Sequence, residues 1–220
     1  VPTVLIPWRA GCPHREDALA WLTDRLPYPV AIGTCGAGRW CKADAVADAL
    51  ARCDDDIVVV SDADVWCDRL DDAITAVSAG AAWAVPHRLV HRLTDEATTK
   101  VLNGSTLEGP TTERPYLGYP GGGIVVTTRA VLDDCPLDPR FVGWGQEDEA
   151  WALALTALHG RPWRGSAPLW HLWHPPAERM TRRWGSDTNR QLLRRYRAAG
   201  RRPAEMRRLI EEARRWPAPA

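Results

Sequence analysis

Apolar positions along the chain follow two alternating rhythms. Short runs rich in β-branched residues read as strands: TVLIPWR, ending at Pro7, then YPVAIGTC, DIVVVSDAD and AAWAVP. Between the first two, HREDALAWLTDRL sets Ala18, Trp21, Leu22 and Leu26 on one helical face. CKADAVADALARC does the same with Val46, Ala49 and Leu50, and a third helix is expected near residues 68–79. The unbroken apolar centre of DIVVVSDAD fits a strand buried on both faces. From His87 to Pro120 the pattern is less regular, with a short helix in TDEATTKVL and a loop rich in Gly and Pro; loops of this length are often functional. GGGIVVTT then resumes the sheet, EDEAWALALTALHG forms a helix closed by Gly160, and PLWHLWHP reads as a last strand. Two basic amphipathic helices are expected near 187–199 and 203–215. Strands and helices in alternation predict an α/β fold, Rossmann-like, with a mostly parallel central sheet flanked by helices.

At 220 residues and 45% hydrophobic composition the chain can bury one sizeable core. The expected organisation is one domain over residues 1–177 and a basic helical extension over 178–220, packed on or beside it. No run of about 18 apolar residues is present, and the first thirty residues lack the pattern of a secretory signal. A cytoplasmic protein, of a bacterial or a virus-infected cell, is the expectation; Val1 in place of Met leaves room for an upstream segment. The six cysteines form no C-x-x-C pair, which argues against a zinc knuckle or a disulfide scaffold and for small core residues. Only Lys42 and Lys100 are lysines among 28 basic residues, a preference that reads as coding bias. Residues 178–220 hold 13 arginines against 5 acidic residues, so the zero net charge of the chain conceals an acidic body and a basic tail.

Four stretches carry candidate chemistry. Asp62 and Asp64 end the third strand, at the carboxyl edge where open α/β sheets bind ligands, and alternation along a strand would aim both at one cation. Mg²⁺ or Mn²⁺, which prefer oxygen and can bridge a diphosphate, suit such a pair; a strand-ending turn with a helix cap explains it equally. GYPGGGIVV offers three successive glycines before a strand, for close approach to a ligand or simply for a turn. In FVGWGQEDEAW, Trp144 stands between Gly143 and Gly145 just before Glu147 and Asp148. This suits a sugar-facing indole on a flexible loop beside a general base, although acids also favour helix N-termini for dipole reasons. WHLWHP supplies His171 and His174, whose nitrogen donors Mn²⁺ tolerates better than Mg²⁺ does.

In this order the stretches resemble the β-1,4-galactosyltransferase family and its bacterial and viral relatives, enzymes of the GT-A fold. The likeness runs from about Val4 to His174: LIPWRAGCPHREDALAWL resembles the nucleotide-binding opening, VVVSDADVW the D-x-D strand, and GGGIVVTTRAVL the G-G-[VI] strand and helix. FVGWGQEDEAWAL resembles the G-W-G-G-E-D motif, and HLWH the closing pair of metal ligands. The resemblance implies that Pro7 and Arg9 hold the nucleotide and that Asp62 lies near its ribose and the metal. It implies Asp64, His174 and His171 as ligands of Mn²⁺ (or Mg²⁺). Gly122 and Gly123 would line the donor sugar, and Trp144 would cover the sugars. Asp148 would deprotonate the acceptor with Glu147 beside it, while Arg39 and Lys42 fall near a family Arg-Ala-Lys segment. Gln146 departs from the family, which has glycine there, and the membrane anchor of the family's eukaryotic enzymes is not expected here.

The function so implied is metal-dependent, inverting transfer of a hexose from a UDP-sugar to a hydroxyl of a glycan, a protein or a hydroxymethylated base in viral DNA. A non-catalytic protein of the same fold that binds carbohydrate or nucleotide sugar is the alternative. So is a phosphoryl- or nucleotidyl-transferase, which would want a P-loop or further acids. Trp184, Tyr196 and Trp216 among the tail arginines could stack nucleic acid bases; a solvated helix pair packed on the sheet explains the same residues.

Overall fold

The structure is a computed structural model that describes residues 1–36, 38–175 and 187–216. Its elements run β1 (Thr3–Trp8), α1 (Pro13–Arg25), β2 (Val30–Thr34), α2 (Lys42–Leu50), β3 (Ile57–Ser61), β4 (Val65–Trp66), α3 (Leu70–Ser78) and β5 (Trp83–Arg92). There follow α4 (Asp95–Leu102), β6 (Tyr116–Leu117), β7 (Ile124–Thr128), α5 (Arg129–Asp134), α6 (Glu147–His159), β8 (Trp163–His171), α7 (Asp187–Ala199) and α8 (Pro203–Arg214). The strands form one sheet in the order β2-β1-β3-β7-β5-β8-β4, with β6 on β5.

The fold class is α/β as expected, but the sheet is mixed rather than mostly parallel. β1 runs parallel to β2 and β3, and β5 to β8, while β7 is antiparallel to both β3 and β5 and β4 is antiparallel to β8. This reversal brings the start of β7 to the edge where β1, β3, β5 and β8 end. Residues 62–64 then carry the chain from β3, inside the sheet, to β4 on β8. β5 also outlasts the strand expected for AAWAVP: it continues through Pro86 to Arg92, with irregular register against β8 around His87. A proline has no N–H for the ladder and is accommodated where the ladder is already broken.

Two apolar layers cover the sheet. One gathers Val4, Ile6, Trp21, Leu22, Val59 and Leu169; the other gathers Leu5, Val58, Val60, Trp83, Trp151 and Leu155. β3 thus buries both faces, as its composition required. Helix α2 lies tight against β2 because Gly33 leaves the room. A Cβ there would fall 1.9 Å from the carbonyl oxygen of Ala45. The buried positions of α2 are Lys42, Ala45, Val46 and Ala49, the i, i+3, i+4, i+7 face of a helix, so the close approach drives a lysine inward together with small apolar residues.

The basic helices belong to the second layer: Leu192, Leu193, Tyr196, Met206, Leu209 and Ile210 are buried in the same core as α6. Many of their arginines pair with acids of the body or of the pair itself: Arg197 with Glu149, Arg207 with Asp134, Arg195 with Glu212, Arg202 with Glu205. Tyr196, a candidate base-stacking residue, is buried with its hydroxyl donating to Asp138 at 2.8 Å, so it has no face for a base; Trp216 is exposed. Trp184 and the 177/178 boundary lie outside the described residues. All six cysteines are free, and three of them, Cys41, Cys67 and Cys135, are buried. Among the described residues no helix is long and apolar enough to cross a membrane.

Because Met206 fills the shared core, Met206→Ala is expected to lower unfolding free energy by about 2–5 kcal/mol, read by urea denaturation; a loss below about 1 kcal/mol would contradict a common core.

Candidate active site and metal centre

Burying a carboxylate without a partner costs several kcal/mol, and both aspartates of D-x-D have partners. Asp62 and Asp64 lie beyond the last strand residue, Ser61, so strand alternation no longer governs them, and each meets a different basic side chain: Asp62 the ammonium of Lys42, Asp64 the guanidinium of Arg15. Asp62 stays beside β7: its N–H donates to the Gly123 carbonyl at 2.9 Å, and its Oδ2 accepts from the Gly123 N–H at 3.3 Å. Asp64 is buried beside β8, where its carbonyl accepts from the Leu172 N–H at 2.8 Å.

Around Asp64 the set expected to bind metal comes together. Asp64, His171 and His174 each offer a ligand atom, and these atoms lie within 4.8 Å of one another. Arg15 donates to Asp64 Oδ2 at 3.0 Å. Burial opposes the charge of Asp64, yet His171, Arg15 and His174 outweigh it and hold the carboxyl below the usual carboxylate range. Burial pushes His171 down, and Asp64 opposes that shift. His174 Nδ1 lies 2.8 Å from the Pro175 carbonyl, an acceptor, so the proton sits on Nδ1. Nε2 lies 3.3 Å from Asp64 Oδ2. A mixed nitrogen and oxygen set suits Mn²⁺.

A second cluster, unforeseen as a unit, surrounds Lys42. Its Nζ lies 2.8 Å from Asp62 Oδ1 and 2.8 Å from Asp148 Oδ1, the latter 106 residues away in sequence. The lysine side chain is 7% exposed, whereas those of Asp62 and Asp148 are each 30% exposed and keep a face to solvent. Burial would strip the Lys42 ammonium of its proton, but Asp148, Asp62 and Glu147 overcome it and hold the proton tightly. Glu147 and Asp148 open α6 and are driven apart electrically. Burial first, then the charge of Asp148, pushes Glu147 up to about 8, and its Oε2 has no hydrogen-bond partner among the described residues. Burial likewise holds Asp148 above the usual carboxylate range, with Lys42 opposing the shift and Asp62 adding to it. Burial thus lifts both acids of the pair, and Lys42 bears directly on Asp148.

The triple glycine is explained by contact. A Cβ on Gly121 would strike the Asp148 carbonyl at 2.1 Å, and one on Gly122 would lie 3.0 Å from Asp148 Oδ2, so this loop lies directly on the first turn of α6. Gly122 and Gly123 thus stand beside Asp148 and Asp62. Buried Pro7 lies in β1, and exposed Arg9 and Arg39 follow β1 and β2 at the same edge; no partner engages either arginine side chain among the described residues. Trp144 is 57% exposed. Its loop is held at both flanks, by the Gly143 N–H on the Trp40 carbonyl at 2.7 Å and by Asn189 of α7 on the Val142 and Gly145 carbonyls at 3.3 and 3.1 Å. Gln146, the departure from the family pattern, has φ +80 and keeps the left-handed conformation a glycine would adopt. Sequence reasoning also passed over His87, whose fully buried ring has both nitrogens unpartnered among the described residues. Burial pushes it down to about 4, and it lies beside Gly123.

No family model matches the chain, and no curated protein matches it. Solved structures do. GalNAc-T7, crystallised with UDP, GalNAc and Mn²⁺, is similar at TM-score 0.56 and 11% identity, over 97% of this chain and 55% of that one. Glucosyl-3-phosphoglycerate synthase from Mycobacterium tuberculosis, in complex with Mn²⁺, UDP and glucosyl-3-phosphoglycerate, aligns at TM-score 0.46 and 15% identity, over 81% of this chain and 73% of that one. The chain thus spans about half the length of GalNAc-T7. At such identity the likeness defines the fold, a GT-A-like α/β architecture, and singles out no galactosyltransferase family.

Asp64→Asn and His174→Ala are each expected to weaken Mn²⁺ binding, measured by calorimetry, by more than about tenfold; unchanged affinity in both would remove the metal assignment. Gln146→Gly is expected to raise stability in urea by about 1 kcal/mol, since a left-handed non-glycine residue costs more than the added chain entropy of glycine. Destabilisation would show that the glutamine side chain is needed where it lies.

Proposed function

We propose that the chain is a metal-dependent glycosyltransferase that moves a hexose from a UDP-sugar to an acceptor hydroxyl with inversion, in the manner of the β-1,4-galactosyltransferases its motifs resemble. The observation that carries this reading is the convergence, at one edge of a GT-A-like sheet, of the Asp64–His171–His174 set and a partly exposed Asp148. GalNAc-T7, of similar fold, was crystallised with UDP and Mn²⁺, which supports the same ligand class here.

A divalent ion held by Asp64, His171 and His174 would neutralise charge developing on the departing diphosphate. Arg9 and Arg39, exposed and unpaired among the described residues, are free to bind the nucleotide's phosphates, and Pro7 would line its base or ribose. Asp62, Gly122 and Gly123 would border the hexose, and the exposed indole of Trp144 would cover its apolar face. Asp148 takes the proton of the acceptor hydroxyl as that oxygen bonds to the anomeric carbon. The bond from that carbon to the phosphate oxygen breaks, and its electron pair leaves with UDP. Glu147 stands beside Asp148, its carboxyl pushed up to about 8 by burial first and then by the charge of that neighbour.

Asp148→Asn is expected to lower UDP release from a hexose donor by about 10²–10⁴-fold while UDP affinity stays within about twofold. Coupled detection of UDP and calorimetry measure the two, and full turnover in the variant would refute the role.

A further inference from the structure

One of only two lysines in this arginine-rich chain occupies the centre of the site. The choice has a physical reason. An ammonium is a compact point charge with three rotatable donors and can serve two carboxylates at 2.8 Å from a narrow buried position, whereas a guanidinium is a wide planar fork. The backbone is arranged for it: the missing side chain at Gly33 lets α2 close on β2, and Lys42 projects from the same face as Ala45 and Ala49. We propose that Lys42 is a positioning residue for Asp148, its ammonium fixing Oδ1 and leaving Oδ2 as the oxygen that receives the acceptor's proton.

The geometry around Asp148 agrees. Oδ1 is engaged by Lys42, and Oδ2 lies over Gly122, where no side chain intervenes. The charged groups facing Asp148 are Lys42 from α2, Asp62 from the end of β3 and its own neighbour Glu147. Lys42 is the cation among these acids, so its removal would let their mutual repulsion protonate Asp148. Lys42 also ties Asp62, on the donor side, to Asp148, on the acceptor side, so a displacement of one is felt by the other. The role in proton transfer rests on the glycosyltransferase reading; the control of Asp148 by Lys42 does not.

The test needs no turnover. Protein carrying ¹³C at lysine Cε gives two lysine signals, one from Lys42 and one from exposed Lys100, which pairs with Glu96. The Lys42 signal is expected to shift with pH in step with the Asp148 carboxyl, and Asp148→Asn is expected to abolish that step while Lys100 stays unaffected. In Lys42→Met the Asp148 ¹³Cγ midpoint is expected to rise by about 1–3 pH units. A Lys42 signal blind to Asp148 in the wild-type protein would overturn the proposal even if Lys42→Met failed to fold; so would an Asp148 midpoint unchanged in that variant. Absence of UDP-sugar turnover would count against the proposed function alone and leave the control of Asp148 by Lys42 intact.

Discussion

A carboxylate taken out of water must be given a cation, and at the end of β3 this requirement falls twice within three residues. The chain answers it with two different cations. Asp62 remains beside β7 and receives the ammonium of Lys42, while Asp64 is carried to β8 and receives Arg15 and two imidazoles. The span 62–64 is thereby fixed at both ends, and the two halves of the site acquire a set spacing. Breaking either pairing would leave a buried charge uncompensated, which typically costs more than the pair itself contributes.

From this constraint the division of roles follows. The imidazole side gathers ligand atoms around Asp64, which suits a diphosphate held through a divalent ion. The lysine side carries its own cation and therefore needs none from outside; it leaves one oxygen of Asp148 free at the surface. Glu147 and Asp148, adjacent in sequence, differ because only Asp148 touches Lys42. The C-terminal helices contribute through Asn189, which holds the main chain of the Trp144 loop while the indole remains exposed.

Much of the fold was legible where burial pattern and period agree. The DIVVV run could only be a doubly buried strand, and the repeat of Leu192, Leu193, Tyr196 and Ala199 sets the inner face of α7. Strand direction was not legible, because an antiparallel β7 buries the same residues as a parallel one. Nor was the length of β5, since Pro86 and the broken register at His87 resemble a strand end when read locally. In the site, D-x-D, E-D and H-x-x-H marked the acids and imidazoles, but the rule of alternation misjudged the aspartates because the strand stops at Ser61. Lys42 was not legible as a partner because its contacts lie 20 and 106 residues away. The signals that point to it are its rarity, which coding bias explains equally well, and its place near the family's Arg-Ala-Lys segment.

The most direct test is the anomalous scattering of manganese in crystals grown with UDP and Mn²⁺. One peak is expected, bonded by Asp64, His171 and His174 and by oxygens of the diphosphate, with Asp62 still on Lys42. UDP seated in the site without a manganese peak at those three residues, or with the metal held elsewhere, would contradict the pairing of acids and cations from which the whole site is derived.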